Sequence, residues 1–323
     1  MDFIDKIYKE IGASDLNQDV SDWLSVGYLP LNKAISGKYS GGLPVGRITE
    51  IFGAESSGKT LQATIAMIET QRRGGLAVFL DFEHAFSIRR ARTLGLDDDP
   101  KKWIYKQPET AEQGFSIIEL IANMVRESDS EKYITVVVDS VAAMMTQEEL
   151  DTGYGEGNMR TKLSLPAVMS TSLKKLGKLV SKTNITLIFL NQTRSNPGVM
   201  FGDKEKTTGG NALKFYASTR IKLVKKGKVK DGEEVIGENV EAQVIKNKVF
   251  EPFGVANYIG HFKEGISLAM SHMVALFEMG KLGSSKGWYE WEGKKYRAKE
   301  LEALLKSDSA EYEAFLEMFD DAE

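Results

Sequence analysis

The chain has no cysteine in 323 residues, which excludes a disulfide framework, a thiolate metal site and a thiol nucleophile together. Histidine is nearly as scarce: His84, His261 and His272 are isolated from one another and form no His-rich transition-metal motif. Seven prolines against 30 glycines argue against a Pro-rich linker and put flexibility in turns. No apolar run approaches the roughly 18 residues of a membrane span. The opening MDFIDKIYKEIG mixes charged and apolar residues and lacks the basic-then-apolar plan of a secretion signal. The expectation is a cytoplasmic protein without membrane contact.

Net positive charge is also missing. The formal value is -4, unfavourable for a nucleic-acid binder until it is mapped. Lys214 to Lys230 holds Lys214, Arg220, Lys222, Lys225, Lys226, Lys228 and Lys230 without an acid, whereas Glu300 to Glu323 is acidic around a single Lys306. Segregation of this kind hides a basic surface within a negative total, although two solvated faces would give the same runs.

What is present is a strand-then-helix rhythm. Short apolar runs end in polar or small residues at RITEIFG (to Gly53), LAVFLDFE (to Glu83), ITVVVDS (to Ser140) and ITLIFLNQ (to Gln192), with helical segments expected at 61–72, 110–127 and 167–182. Uninterrupted apolar strands joined through helices predict an α/β fold with a mostly parallel central sheet covered on both faces, its chemistry at the carboxyl ends of the strands. Phe3, Ile4, Ile7, Tyr8 and Ile11 fall at helical spacing, an apolar stripe that a ten-residue helix cannot bury on itself. After residue 212 strands predominate, with GKVKDGEE read as a turn, and a strand pair is expected in GWYEWEGKKYR. The division expected is an N-terminal arm at 1–40, an α/β core at 41–265 and a small α+β C-terminal domain at 266–323.

Gly53, Ala54, Glu55, Ser56, Ser57, Gly58, Lys59 and Thr60 spell the complete phosphate-loop pattern GxxxxGK[ST] between a strand and a helix that continues through Leu61. Backbone N–H groups of such a loop wrap phosphate oxygens, the lysine reaches the β and γ phosphates, and the threonine hydroxyl meets Mg²⁺. ATP and Mg²⁺ are the ligands expected. Asp139, closing an apolar strand expected to neighbour the one that leads into the loop, fits the second metal-holding position. Glu83 is the best candidate to activate water, because its strand should finish beside the loop; Asp81 and His84 are alternatives.

These segments, with LDFEHA, VVVDSVAA, LIFLNQTR, GVMFGDKEKTTGGNALKFYAS and VIKNKVFEPF, make the chain from about residue 41 to 266 resemble the bacterial RecA family of homologous-recombination ATPases. The resemblance implies that Glu83 activates the hydrolytic water and that Gln192 senses the γ phosphate at the base of a DNA-binding loop at about 192–209. That loop contains Arg194 and Phe201 and exits at Gly209, Gly210 and Asn211. A second DNA loop is implied at about 151–163, where Met159 would wedge into the base stack beside Arg160, followed by Ser170 and Lys174 near phosphate. Lys246 and Lys248 would reach the ATP of a neighbouring subunit, Phe215 would link subunits, and Phe262 would touch the base from the neighbour. For Phe215 a core role is equally compatible with sequence alone. The partners implied are single-stranded DNA, homologous double-stranded DNA and further copies of the chain in a helical filament, with the N-terminal helix docking neighbours.

The sequence departs from the family in four places. Ser87 and Arg90 stand where an adenine-contacting Asp and Tyr are usual, and a planar guanidinium would stack on the base instead. The segment MRTKLSLPAVMS is about three residues longer than usual, with Pro166 expected at a helix start. The second loop adds Pro197, and the acidic tail is short; together these suggest a divergent or phage-encoded member. A ring helicase of the same fold and a nucleic-acid-binding regulator remain as alternative functions.

Overall fold

In the strand Leu76–Asp81, Ala77 and Phe79 join one apolar cluster while Val78 and Leu80 join another. The same division runs through Ile185–Ser195, where Ile188 and Leu190 face one cluster and Leu187 and Phe189 the other. Side chains alternate across a strand, so a sheet apolar at every position must be covered twice. The computed structural model describes residues 5–6, 9–10, 20–128, 130–153, 159–181, 183–195, 205–285, 288–291 and 293–305; side chains of 159–163, 195, 205, 284 and 305 lie outside the description.

The element order opens with β1 (Trp23–Leu24), α1 (Leu29–Ser36), β2 (Leu43–Pro44), β3 (Ile48–Gly53), α2 (Lys59–Arg72) and β4 (Leu76–Asp81). It continues with α3 (Ile88–Thr93), β5 (Trp103–Lys106), α4 (Ala111–Glu127), β6 (Ile134–Asp139), α5 (Gln147–Asp151) and α6 (Met159–Val180). Then come β7 (Ile185–Ser195), β8 (Glu205–Thr207), α7 (Ala212–Tyr216), β9 (Thr219–Asp231), β10 (Glu234–Asn247) and β11 (Val255–His261). The described chain closes with α8 (Leu268–Glu278), β12 (Gly283–Ser285), β13 (Trp288–Trp291), β14 (Lys294–Arg297) and α9 (Ala298–Leu305).

The main sheet runs β11-β10-β9-β3-β7-β6-β4-β5, with β8 paired to the outer end of β7. Strands β9, β3, β7, β6, β4 and β5 are parallel, and β10 and β11 extend the edge antiparallel. The expected α/β architecture is therefore present. Apolar residues of α1 and α2 pack in one cluster, those of α4 and α6 in the other.

Three local expectations are corrected. GKVKDGEE is not all turn: β9 continues to Asp231, with Lys228 in register opposite Glu238, and beside it Lys226 meets Glu241 at 2.9 Å, a cross-strand contact between opposite charges that favours ladder over loop. Pro166 lies inside α6. It removes one backbone bond, but Leu165, Met169, Leu173, Leu176 and Val180 form a buried stripe that holds the helix together through the break. Strand β4 does not finish next to β3, since β7 and β6 lie between them.

At the chain start, residues 5–6 and 9–10 are helical and exposed; the expected docking stripe and the acidic end lie outside the described residues. Beyond the main sheet, Ala269, Met273, Leu276, Leu282, Trp291 and Leu301 form their own apolar cluster beside the three-stranded sheet β12-β13-β14, one strand more than the pair expected.

Candidate functional site

Gly53 ends β3 so close to β9 that a Cβ there would sit 2.4 Å from the Leu223 carbonyl oxygen; only glycine fits. The chain turns through Ala54 to Gly58, with Ser56 at φ 57, and enters α2 at Lys59. Successive N–H groups at such a turn and helix start form a concave anion site. Ser57 Oγ is buried without a hydrogen-bond partner, a polar atom that a phosphate oxygen would satisfy. The Lys59 ammonium donates to the carbonyls of Ala54 (2.8 Å) and Gly53 (3.3 Å). Burial lowers its pKa, while Asp139, Glu83 and Glu55 act against that shift. The loop thus fits a polyphosphate.

Thr60 Oγ1 donates to Asp139 Oδ2 at 2.9 Å. Burial pushes the Asp139 carboxyl up to about 6, the Thr60 bond opposing and the nearby carboxylates of Glu83 and Asp81 reinforcing it. A desolvated carboxylate crowded by like charge is a place where a cation binds. Among the described residues no group of three or more His, Cys, Asp or Glu gathers as a metal cage. Two side-chain oxygens suit Mg²⁺, which keeps water and phosphate oxygens as its other ligands. Asp139 was expected on the strand next to the loop, but β7 separates β6 from β3. The two residues meet because α2 packs across β7, β6 and β4.

Glu83 Oε1 accepts from Gln192 Nε2 at 2.8 Å and from Ser140 Oγ. Of the three water-activating candidates, Glu83 alone lines the cleft. Asp81 is buried and accepts from Tyr105 Oη (2.8 Å) and the backbone N–H groups of Glu83 and Phe86 (both 3.1 Å), which makes it a turn-holding group. His84 is exposed in the left-handed region at φ 54.

The cleft encloses about 510 Å³ and is lined by Glu55 to Leu61, Glu83, Asp139 and Gln192 at one end, with Arg90, Glu238, Val240, Tyr258, Gly260 and Phe262 completing it. Phe262, expected to come from a neighbouring subunit, belongs to the chain's own cleft. The edge strands β10 and β11 bring it there, with Gly260 packed against Leu61 of α2. Ser140, Glu238, Val240, Tyr258 and Gly260 escaped sequence reading because nothing in their local sequence marks them.

Residues 3–267 match the family model described as the RecA N-terminal domain. The chain belongs to the RecA family. Among curated relatives named Protein RecA, that of Chloroherpeton thalassium is 41% identical over 289 residues, covering 89% of this chain and 77% of the relative. That of Bacteroides thetaiotaomicron is 41% identical over 298 residues, covering 90% and 86%. That of Desulforapulum autotrophicum is 40% identical over 272 residues, covering 84% and 74%. RecA membership puts the chain among ATP-dependent DNA recombination proteins.

The expected RecA loops begin and end on described structure. After Gln192, Thr193–Ser195 pairs antiparallel with Glu205–Thr207, placing Arg194 opposite Lys206. Phe201 lies outside the described residues, as do the side chains of Met159 and Arg160 at the first turn of α6. Asn191 Nδ2 donates to the Thr208 carbonyl (3.0 Å) and to Glu50 Oε1 (3.0 Å). Gly209 has φ +84, and a Cβ there would meet Val141 at 2.7 Å. Gly210 lies against Pro166, and Asn211 immediately precedes α7 without a side-chain capping bond. Ser170 and Lys174 follow Pro166 at four-residue steps on α6 and are exposed, sharing the helix face that meets the loop exit.

Lys246 Nζ donates to the carbonyls of Lys214 (2.5 Å) and Phe215 (2.9 Å), and Lys248 Nζ to that of Phe215 (3.1 Å). The two lysines thus converge on one carbonyl, although Lys248 follows the end of β10. Phe215 is 69% exposed, which excludes the core role. Neither lysine lines the chain's own cleft. Lys246 pairs with Arg220, which is level with Glu50, whereas Leu223 is level with Gly53. The offset is three residues, roughly 10 Å along the sheet.

Beneath the loop, Arg220 Nε donates to the buried Glu50 at 2.5 Å, and the guanidinium lies 4.7 Å from the Phe52 ring centroid. This ion pair went unread in sequence; its signal was one acid and one base inside apolar strands.

Proposed function

We propose that this RecA-family chain is an ATP-dependent recombinase that assembles as a helical filament on single-stranded DNA, pairs it with homologous duplex and promotes strand exchange with DNA-stimulated ATP hydrolysis. The Gln192–Glu83 hydrogen bond carries the reading: one partner sits where water is activated and the other where β7 leads into the DNA loop. Bound ATP with Mg²⁺ supplies a cleavable phosphoanhydride whose charge the protein groups must neutralise. Lys59 and the N–H groups of residues 55–60 would hold the phosphates, Thr60 and Asp139 would hold the cation, and Glu83 would orient and deprotonate water. Gln192, now bonded to Glu83, would be free to turn to a γ phosphate, and the loop that begins at Arg194 and ends at Asn211 would change its hold on DNA with it.

Filament assembly is supported by the converging Lys246 and Lys248, which lie at the far level of the sheet and would complete a neighbour's phosphate site. Repetition of such a head-to-tail contact gives an open helical array. Arg194, Lys206, Lys174 and the glycine-rich exit would follow the phosphate backbone without reading base edges. The separate apolar cluster supports reading 266–323 as a C-terminal domain, with exposed Lys294 and Lys295 offered to duplex DNA. The test is formation of a homologous joint from purified chain, ATP, Mg²⁺, single-stranded DNA and matching duplex. A joint that needs both homology and ATP is expected; no joint despite ATP turnover and single-strand binding would sink the proposal.

A further inference from the structure

We infer that Asn191 is a positioning residue, the clamp at the foot of the proposed DNA loop through which ATP hydrolysis answers to DNA; the inference rests on the recombinase reading above. Its side chain is fully buried in β7, directly after Phe189 and Leu190 and level with Phe52 of β3, where an apolar side chain is the ordinary occupant. A buried amide is costly unless its polar atoms are bonded, and here both donors and the acceptor are used. Asn191 Oδ1 accepts from the backbone N–H of Gln192 at 2.9 Å. Asn191 Nδ2 donates to the Thr208 carbonyl and to Glu50 Oε1, both at 3.0 Å.

These bonds join groups that lie far apart in the chain. Gln192 leads into the loop, and Thr208 follows the stem in which Thr193–Ser195 pairs with Glu205–Thr207, so one amide bridges the two sides of the stem at its base. Glu50 belongs to β3, the strand that ends at Gly53, and its other oxygen accepts from Arg220 of β9. Because Glu50 and Arg220 are both buried, the clamp is fixed to the sheet beneath the phosphate loop and not to the surface.

The loop exit reaches Glu83 by a second route. Gly209, directly after Thr208, lies against Val141, and Val141 follows Ser140, whose hydroxyl donates to the same Glu83 oxygen as Gln192. Coupling is carried by contiguous packed and hydrogen-bonded groups. With the exit tied to Gln192 through Asn191 and packed on Val141, a displacement of the exit shifts both donors of Glu83 together. With the clamp open, the stem absorbs the displacement and Gln192 stays in place. Asn191 does not line the cleft, so it acts through Gln192 and not on the nucleotide.

The test is steady-state ATP hydrolysis, with and without single-stranded DNA, by the full chain and by Asn191→Asp. The aspartate keeps the size and an acceptor for the Gln192 N–H but offers no donor to Thr208 or Glu50. Hydrolysis without DNA should keep its kcat and KM within about threefold. Stimulation by DNA should fall about tenfold, the shift expected for loss of one hydrogen bond to a charged group. Asn191→Ser, too short to bridge and free of added charge, should behave alike, and it decides the outcome if the aspartate variant does not fold. Glu50→Gln combined with Arg220→Met removes the ion pair yet leaves an oxygen for Asn191, and should keep most of the stimulation. Full stimulation in the Asn191 variants, an equal loss in the Glu50→Gln/Arg220→Met chain, or loss of hydrolysis without DNA each overturns the inference. An unaltered chain whose hydrolysis is indifferent to DNA would overturn the recombinase reading and the inference with it, and is seen before any variant is compared.

Discussion

Gln192 Nε2 reaches Glu83 Oε1 across 2.8 Å, although β6 lies between the strands that carry them. The bond joins the strand end that leads into the proposed DNA loop to the carboxylate proposed to activate water, and Ser140 at the end of β6 holds the same oxygen from a second side. Replacing Gln192 by Ala should therefore uncouple the two. Stimulation of ATP hydrolysis by single-stranded DNA should collapse to about onefold, while nucleotide still binds; steady-state rates with and without DNA measure this. Retained stimulation would mean that the loop signals by another route.

Glu83→Gln should lower the hydrolysis rate by about 10²–10⁴-fold, the range for loss of a positioned general base. Phosphate-loop contacts are untouched, so a fluorescent ATP analogue should bind within a few-fold of the unaltered affinity. A rate loss explained wholly by weaker binding would place the base elsewhere.

Lys246 is the pH-sensitive group. Burial first, then Lys248 and Arg220, pull its pKa from 10.5 down to about 8, with Glu50 opposing. Between those two values the folded chain binds fewer protons here than the unfolded chain, so this group's contribution to stability rises with pH through that window. Phosphates of a neighbour's ATP would restore the ordinary value. Assembly at pH 8 should then take up about half a proton per subunit, and almost none at pH 6.5, where the amine is already charged. Calorimetry in buffers of different ionisation enthalpy reads the uptake; equal uptake at both pH values would exclude Lys246 as its source.

Phe215→Ala removes an exposed ring but leaves the carbonyl that receives Lys246 and Lys248. Subunit stability in urea should change by no more than about 0.5 kcal/mol. Filament assembly, followed by light scattering, should need more than about tenfold higher protein concentration if the ring anchors a subunit contact. A large stability loss with normal assembly would reverse that assignment.

Glu50 and Arg220 form a buried pair with side chains 0% and 10% exposed. Removing one partner, as in Arg220→Met, should cost about 3–5 kcal/mol by leaving a charge unpaired, and replacing both by apolar residues should recover much of that loss. Urea unfolding of the two single variants and the double variant tests this through their coupling energy. Additive losses would show that the pair is not a unit.

The strand-turn-helix from Gly53 to Thr60 and the parallel α/β plan were legible in sequence. A glycine-rich turn between an apolar strand and a helix has few other physical uses, and strands apolar at every position must be covered on both faces. Helix limits were read to within a few residues where caps stood, as at Thr110 before α4, and poorly at α6. There a buried stripe carried the helix back past Pro166, a balance between packing and local propensity that only tertiary contacts settle. Strand order was equally hidden. Apolar runs state that strands exist, not which lie side by side, so Asp139 and Glu83 were placed correctly at the rim but on the wrong neighbours.

The closure of the cleft by β10 and β11, the arrival of Glu238 and Phe262 in it, and the exposure of Phe215 were likewise decided by the fold. Each depends on contacts between residues far apart in the chain, which no local pattern encodes. The sequence by itself determined which chemistry the chain carries at its phosphate loop. Tertiary structure decided which distant side chains share that chemistry, because sheet order and helix packing, unlike a motif, are properties of the whole chain.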